Sequence, residues 1–207
     1  MRNGVCYLVG AGETDDFNIA PQKGDFIIGV DGGYKYLAEN NIEVDLVVGD
    51  FDSLLEIPSH QNIIRLNKEK NDTDMLFALR LGLEKGYTIF HIYGGTGGRF
   101  DHTIANIQCL AYLSNNSAQG FLYSKDYIVT TITNGSISFS ADMKGYVSVF
   151  SYNCESKGVF IKNLKYELND AVITNSFPIG VSNEFIGLES QVSVKQGTLI
   201  IIYPVKA

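Results

Sequence analysis

Two aspartates stand one residue apart at the end of an apolar run, in the stretch LVVGDFD at residues 46–52. In an extended chain, residues i and i+2 point to the same side, so the carboxylates of Asp50 and Asp52 can converge. Like charges this close repel each other unless a cation lies between them. The pair is therefore either a solvated polar turn or part of a site for a hard cation such as Mg²⁺, which prefers carboxylate oxygens.

A second group of acids, Asp72 and Asp74, flanks Thr73 at the start of a predicted helix, shortly after Lys70. Asp and Thr are common N-cap residues, and an acid in the first turn gains about 0.3–1 kcal/mol from the helix dipole. Capping needs only one such residue. The cluster is therefore either a helix cap alone or a cap combined with further ligands for a cation.

The stretch GGTGGRFDH, residues 94–102, is rich in glycine and follows a predicted strand. Its glycines allow the backbone to approach a ligand closely and can present N–H groups to phosphate oxygens, while Arg99 offers a fork that suits phosphate. The alternative is a flexible surface loop. The stretch lacks the Walker A pattern, and GAGE at residues 10–13 lacks the third glycine of a dinucleotide-binding fingerprint.

These residues need a scaffold, and the first part of the chain alternates between short apolar runs and helix-like segments. The predicted strands are 5–9, 26–30, 46–48, 63–66 and 88–93, and the predicted helices are 34–40, 73–85 and 103–114. This alternation predicts a largely parallel sheet with helices on its faces. Ligands of such sheets bind beyond the carboxyl ends of the strands, and Asp31-Gly32-Gly33, Asp50 and the glycine-rich stretch all follow such ends.

The second part of the chain has a different pattern. After residue 117 there is no convincing helical period, and short apolar runs alternate with Gly, Asn, Asp and Ser. The runs lie at residues 127–132, 136–139, 146–150, 159–161 and 198–203. The sequence thus predicts an α/β domain over residues 1–117 and an all-β domain, with the strand spacing of a sandwich or barrel, over residues 118–207.

The composition narrows the class of protein. Of 207 residues, 45% are hydrophobic and 19% charged, which is ordinary for a globular protein. The net charge of −7 argues against nucleic acid and anionic membranes as partners. The three cysteines, Cys6, Cys109 and Cys154, show neither zinc spacing nor a disulfide framework, and no apolar stretch is long enough to cross a membrane. We expect a cytoplasmic protein.

The residues alone predict a Mg²⁺-dependent nucleotide site. Acids can hold the metal, the glycine-rich stretch and Arg99 can hold phosphates, and no obvious covalent nucleophile is present. Phosphoryl transfer fits these groups because it depends mainly on positioning and charge neutralisation. The acceptor stays open at this point, and so do two alternatives. A glycosyltransferase could use the D-x-D of Asp50 and Asp52 for a sugar nucleotide, and a binding protein without catalysis could sense a nucleotide.

The motifs, in their order and spacing, resemble those of the thiamin pyrophosphokinase family over essentially the whole chain. They are D-G-G at 31–33, G-D-F-D-S at 49–53, T-D at 73–74, G-G-x-G-G-R-x-D-H at 94–102 and G-x-S-N-E at 180–184. The resemblance implies transfer of the diphosphoryl group of ATP to the hydroxyl of thiamine, which gives thiamine diphosphate and AMP. It also implies a homodimer whose active sites are shared between subunits, with a C-terminal β-sandwich that contacts thiamine.

The resemblance also assigns roles by position. Asp50, Asp52 and Asp74 would hold Mg²⁺ with the ATP phosphates, and Asp74 or Asp101 would assist deprotonation of the thiamine hydroxyl. Ser182 would line the thiamine pocket together with Asn183. The nucleotide site would comprise Asp31, Gly32, Gly33, Lys70, Gly94, Gly95, Thr96, Gly97, Gly98, Arg99, Asp101 and His102.

Two departures from the family pattern bear on these roles. The family segment K-D-x-T-D reads Lys70-Asn71-Asp72-Thr73-Asp74 here, so Asp72 is a further candidate metal ligand and Asn71 replaces an acid. Some relatives stack a tryptophan on thiamine, whereas this chain has none, so a Tyr or Phe would have to take that place. A thiamine-binding sensor without turnover is a further alternative on the same scaffold.

Overall fold

The structure is a computed structural model that describes residues 2–13, 19–51, 60–67, 69 and 72–205. The first part consists of short strands and three helices. They are Val5–Val9 (β1), Phe26–Val30 (β2), Gly33–Glu39 (α1), Leu46–Gly49 (β3), Ile63–Arg65 (β4), Asp74–Glu84 (α2), Ile89–Tyr93 (β5), Phe100–Asn115 (α3) and Gln119–Tyr123 (β6).

The second part consists of strands joined by turns. They are Tyr127–Thr133 (β7), Ser136–Phe139 (β8), Tyr146–Ser151 (β9), Glu155–Lys162 (β10), Leu168–Thr174 (β11), Asn183–Glu184 (β12), Ser190–Gln196 (β13) and Thr198–Pro204 (β14). Alternation of buried and exposed residues, clearest in β9 and β13, fits strands that present one face to a core.

A parallel sheet forms the centre of the first part. The strands β4, β3, β2, β1, β5 and β6 lie side by side and pair in parallel. On one face, Leu8 and Ile92 pack with Leu79 of α2 and Leu110 of α3, all fully buried. The other face packs against α1, where Leu37 is fully buried. Burial on both faces explains why these strands read as continuous apolar runs.

The sheet continues into the second part. Strand β7 pairs antiparallel with β6, and β14, β9 and β12 follow, so that ten strands form one sheet in the order β12-β9-β14-β7-β6-β5-β1-β2-β3-β4. A second sheet, in the order β11-β10-β13-β8, encloses a separate core with it, which includes Val147, Val159 and Ile201. The predicted fold class is confirmed. The division at residue 117 stays a prediction, since the large sheet crosses it.

The helix α3 differs from its prediction in length. It begins at Phe100, three residues before the predicted start, because Arg99 is extended (φ −81°, ψ 110°) and the helix follows the glycine-rich stretch directly. Its first turn therefore contains Asp101 and His102, which were predicted to precede the helix. Among the residues that the structure describes, no helix is long and apolar enough to span a membrane.

Candidate active site

Three carboxylates from three elements converge at the carboxyl edge of the parallel sheet. Asp31 follows β2, Asp50 follows the neighbouring strand β3, and Asp74 is the first residue of α2. One oxygen from each lies within 4.8 Å of the others, and all three side chains are half-buried. We call these residues the acidic triad. Three oxygen ligands at this spacing suit a hard divalent cation.

The backbone around Asp31 is specialised for this position. Its φ of 48° lies in the left-handed region, which Asp and Asn adopt more readily than most residues, and its N–H donates to the carbonyl of Val48 at 2.8 Å. A Cβ placed on Gly49 would overlap Oδ1 of Asp31. Glycine at position 49 therefore leaves the room that lets the Asp31 carboxylate reach the triad.

The helix α2 is capped by Thr73, whose Oγ1 accepts from the N–H of Leu76 at 3.2 Å. Capping therefore does not require Asp74, which belongs to the triad. Asp72, a predicted metal ligand, accepts from Nη1 of Arg80 at 2.6 Å and is not among the three converging carboxylates.

The remaining residues of this region, Asp52, Lys70 and Asn71, lie outside the described residues. The predicted roles of Asp52 and Lys70 stay predictions. The structure adds Asp31 to the candidate metal ligands. From the sequence, Asp31 was predicted to shape the nucleotide site and not to hold metal.

A cavity of about 440 Å³ lies beside the triad, which is within the size range of small-molecule sites. We call residues 94–98 the glycine loop, and it forms one wall. The cavity is lined by Gly10, Ala11, Gly12, Val30, Asp31, Thr73, Asp74, Met75, the glycine loop, Arg99, His102, Ala105 and Asn106. The structure thus brings the predicted nucleotide residues Asp31, Arg99 and His102 and the glycine loop to one place beside Asp74. Gly32 and Gly33, which were also predicted to bind the nucleotide, do not line this cavity.

The glycine loop is held by the segment 10–13, which sequence reasoning had set aside. Gly10 N–H donates to the Tyr93 carbonyl at 2.8 Å, Gly12 N–H to Gly94 at 2.8 Å, and Glu13 N–H to Thr96 at 3.0 Å. A Cβ on Gly12 would overlap the Thr96 carbonyl oxygen. The glycines of GAGE therefore serve close packing of one backbone on another.

Asn106 is a functional candidate that sequence reasoning missed. It is 7% exposed on α3, and its Nδ2 donates to the Gly95 carbonyl at 2.7 Å. Nearby, Oγ1 of the buried Thr96 has no hydrogen-bond partner within the described residues. A usable signal was the helical spacing, since Asn106 lies four residues after His102 and so on the same face of α3.

Arg99 and Asp101 form an exposed ion pair at the mouth of the site. Arg99 Nε donates to Oδ1 of Asp101 at 3.2 Å and Nη2 to Oδ2 at 2.5 Å. The hydrogen bond from Arg99 is the main cause of a lowered pKa of Asp101. Asp101 is thus a carboxylate at neutral pH, and it partly neutralises the arginine that was predicted to bind phosphate.

The predicted thiamine residues lie far from the triad within one chain. Asn183 is buried, and its Oδ1 accepts from the N–H groups of Tyr166 and Glu184, each at 2.9 Å, while Nδ2 donates to the Tyr166 carbonyl at 2.6 Å. Ser182 has a φ of 57° and its N–H donates to Ser148. The Asn183 amide therefore stabilises this turn.

The distance follows from the order of strands. Seven strand spacings separate β12 from β2 in the large sheet, which corresponds to about 30 Å. The turn at 180–184 is also surrounded by exposed apolar side chains. They are Tyr146, Tyr166, Phe177, Ile179, Val181, Ile186 and Leu188, each at least 47% exposed.

Comparison with known proteins matches both parts of the chain. The family model of the thiamin pyrophosphokinase catalytic domain matches residues 18–122, and that of the thiamin pyrophosphokinase vitamin B1 binding domain matches residues 135–199. A thiamine pyrophosphokinase from Bacillus subtilis (strain 168) is 32% identical over an alignment of 186 residues, which covers 84% of this chain and 85% of that protein.

Solved structures agree with this match. The crystal structure of thiamine pyrophosphokinase from Bacillus subtilis has a TM-score of 0.84 at 26% identity and covers 98% of this chain and 100% of its own. That of thiamin pyrophosphokinase from Geobacillus thermodenitrificans has a TM-score of 0.83 at 23% identity and covers 98% of each chain. At 23% identity, the likeness to the Geobacillus protein concerns the fold alone.

Proposed function

Because this chain belongs to the thiamin pyrophosphokinase family, we infer that it transfers the diphosphoryl group of ATP to the hydroxyl of thiamine, which gives thiamine diphosphate and AMP. The observation that carries this inference is the acidic triad beside the glycine loop, in a chain that matches the family in both of its parts. The comparisons do not favour the glycosyltransferase alternative.

We propose that the triad holds Mg²⁺. Asp31, Asp50 and Asp74 offer the oxygen ligands that this ion prefers, and Asp52 is predicted to add another. Bound there, Mg²⁺ would neutralise charge on the ATP phosphates. Asp72 is a weaker candidate than it was from sequence, because its carboxylate pairs with Arg80.

The residues of the chain position the reacting groups. N–H groups of the glycine loop and the guanidinium of Arg99 bind phosphate oxygens. The thiamine oxygen forms a bond to the β-phosphorus, the bond from that phosphorus to the oxygen shared with the α-phosphorus breaks, and AMP leaves. Asp101 is a weak base because Arg99 lowers its pKa. Asp74 lines the cavity and stays a candidate beside Asp101 to take the hydroxyl proton, although coordination to Mg²⁺ would lower its basicity too.

We propose that the active enzyme is a homodimer. Within one chain, the turn that carries Ser182 and Asn183 lies about 30 Å from the triad across the sheet, too far for one thiamine molecule to touch both. Exposed apolar side chains surround that turn, as expected of a surface that another subunit covers. The turn of one copy would then complete the site of the other.

The reaction consumes ATP, and the three cysteines are free, which supports the proposal that the enzyme works in the cytoplasm.

The test of function uses purified protein with ATP, thiamine and Mg²⁺, followed by chromatography of the products. We expect thiamine diphosphate and AMP in equal amounts. ADP with thiamine monophosphate would contradict the proposed transfer, and thiamine binding without any product would favour the sensor alternative.

A further inference from the structure

Asp72 and Asp74 flank the helix cap Thr73, yet their carboxylates face different spaces. Thr73 is extended (φ −69°, ψ 156°), so the two α-carbons lie about 7 Å apart, close enough for both carboxylates to reach one cation. Asp74 belongs to the acidic triad and lines the cavity beside it. Asp72 instead borders a second cavity, of about 540 Å³, which is also lined by Arg65 at the end of β4 and by Arg80 of α2.

Arg80 holds the Asp72 carboxylate in this direction. Its Nη1 donates a charge-assisted hydrogen bond to Oδ2 of Asp72 at 2.6 Å. The Arg80 side chain reaches back toward the start of α2, which is the direction in which helical side chains lean. The two side chains are 48% and 30% exposed, so the pair contributes little to folding. Its main effect is therefore on where the carboxylate of Asp72 lies.

The number of carboxylates in a site affects which divalent cation it binds. Mg²⁺ demands octahedral geometry and usually keeps several waters or phosphate oxygens as ligands, whereas Ca²⁺ accepts six to eight oxygens in a flexible arrangement. With the three carboxylates of the triad bound, half of the octahedral positions stay open. A further carboxylate would fill one of them and would add negative charge, which favours Ca²⁺ over Mg²⁺ that arrives with ATP.

We propose that Arg80 is a specificity-determining residue of the metal site, because it keeps the carboxylate of Asp72 away from the acidic triad. The inference rests on the proposed Mg²⁺ site. With Arg80 in place, positions on the metal stay open for the phosphate oxygens of ATP. Without Arg80, the Asp72 carboxylate turns to the triad, and the site gains more affinity for Ca²⁺ than for Mg²⁺.

The test is calorimetric titration of Mg²⁺ and of Ca²⁺ into chelator-treated protein, without nucleotide or thiamine. The variants are Arg80→Gln, Asp72→Asn and the double variant that carries both changes. Arg65→Gln is the matched control, because it removes the same charge from a side chain that lines the same cavity. Thermal unfolding in chelator confirms that each variant is folded.

We expect Arg80→Gln to bind Ca²⁺ about tenfold more tightly than the wild type, and to gain less for Mg²⁺. Asp72→Asn should bind both ions within about twofold of the wild type, since Asp72 is not a ligand while Arg80 holds it. The double variant should lose the gain for Ca²⁺, because the carboxylate is absent. Arg65→Gln should change the affinity for both ions alike, through its charge alone.

Three results would overturn the inference. Weaker binding of either ion by Asp72→Asn would make Asp72 a ligand in the wild type. A gain for Ca²⁺ in Arg80→Gln that is no larger than in Arg65→Gln, or that persists in the double variant, would show that Asp72 is not the group that Arg80 controls. A wild type that binds neither ion would reject the triad as a metal site and the inference with it.

These outcomes are separate from the test of the proposed function, because the titrations contain no substrate. A protein that makes no thiamine diphosphate, but whose Arg80→Gln variant gains affinity for Ca²⁺, would reject the proposed function and leave the inference intact. Turnover by the wild type, together with weaker metal binding by Asp72→Asn, would do the reverse.

Discussion

Replacing Asp31 by asparagine should stabilise the metal-free protein while it removes most of the activity. Asparagine has nearly the same shape as aspartate and tolerates the φ of 48° at this position. The substitution therefore changes the charge of the acidic triad with little change in packing against Gly49. The three carboxylates of the triad repel one another pairwise, and the variant removes two of these three repulsive pairs.

The size of the effect follows from the separation of the oxygens. At 4.8 Å or less, each pair of unit charges repels by at least about 0.9 kcal/mol in a water-like dielectric. Loss of two pairs should raise the free energy of unfolding by about 2 kcal/mol. For a chain of this length, that corresponds to a rise in Tm of about 4–8 °C.

Saturating Mg²⁺ should make the wild type more stable than Asp31→Asn. A ligand at a hundred times its Kd stabilises the folded protein by about 2.7 kcal/mol, and the variant should gain much less because it lacks one ligand. In the thiamine assay, we expect Asp31→Asn to lose about 100-fold or more in kcat/KM.

The assay is thermal unfolding of both proteins in chelator and in Mg²⁺, beside the activity measurement. Asp126→Asn is the control, because it removes the same charge at an exposed position after β6. It should change neither the response to Mg²⁺ nor the activity. If Asp31→Asn destabilises the metal-free protein, or responds to Mg²⁺ like the wild type, the triad is not a cation site that includes Asp31.

Three further perturbations test other parts of the structure. Gly12→Ala should displace the glycine loop and lower kcat/KM about 100-fold. Gly135→Ala should not, because Gly135 has no left-handed φ and an added Cβ would make only an ordinary contact, 3.5 Å from the Thr133 carbonyl oxygen. Equal steady-state kinetics for both variants would contradict this. Asn183→Ala should lower the free energy of unfolding in urea by about 1–3 kcal/mol, because buried backbone groups lose partners; an unchanged midpoint would exclude this role. Burial raises the pKa of Cys109 to about 12, so stability present below the unfolded pKa of about 8.5 should fall as pH rises toward 12. Cys109 should contribute about 2 kcal/mol to the loss seen in urea unfolding at about pH 10, a share that Cys109→Ala removes and Cys154→Ala does not; equal losses in both variants would assign it elsewhere.

The local pattern of the sequence predicts the strands of the first part well. Strands β1 and β2 begin and end where their apolar runs do, because central parallel strands are buried on both faces and carry few polar residues. The start of α3 was predicted too late, because the helix is preceded by Arg99, which makes no side-chain capping bond, so the sequence has no N-cap signal before Phe100.

Contacts between distant segments could not be predicted in the same way. The continuation of one sheet from β6 through β7 depends on pairing between two short strands, and neither carries a motif for its partner. Asp31 joins Asp50 and Asp74 only because neighbouring strands end at one edge of the sheet. Asn106 reads as an ordinary polar residue of a helix, and its bond to Gly95 is visible only in three dimensions.

The most direct measurement of the central claim is a single turnover with ATP that is radiolabelled in its β-phosphate. Excess enzyme, thiamine and Mg²⁺ are mixed with the labelled ATP, and the products are separated at early times. If the diphosphoryl group is transferred as a unit at the acidic triad, the label enters thiamine diphosphate directly, AMP is unlabelled, and Asp31→Asn forms both far more slowly. Label that remains in ADP, or an unimpaired Asp31→Asn variant, would contradict the account.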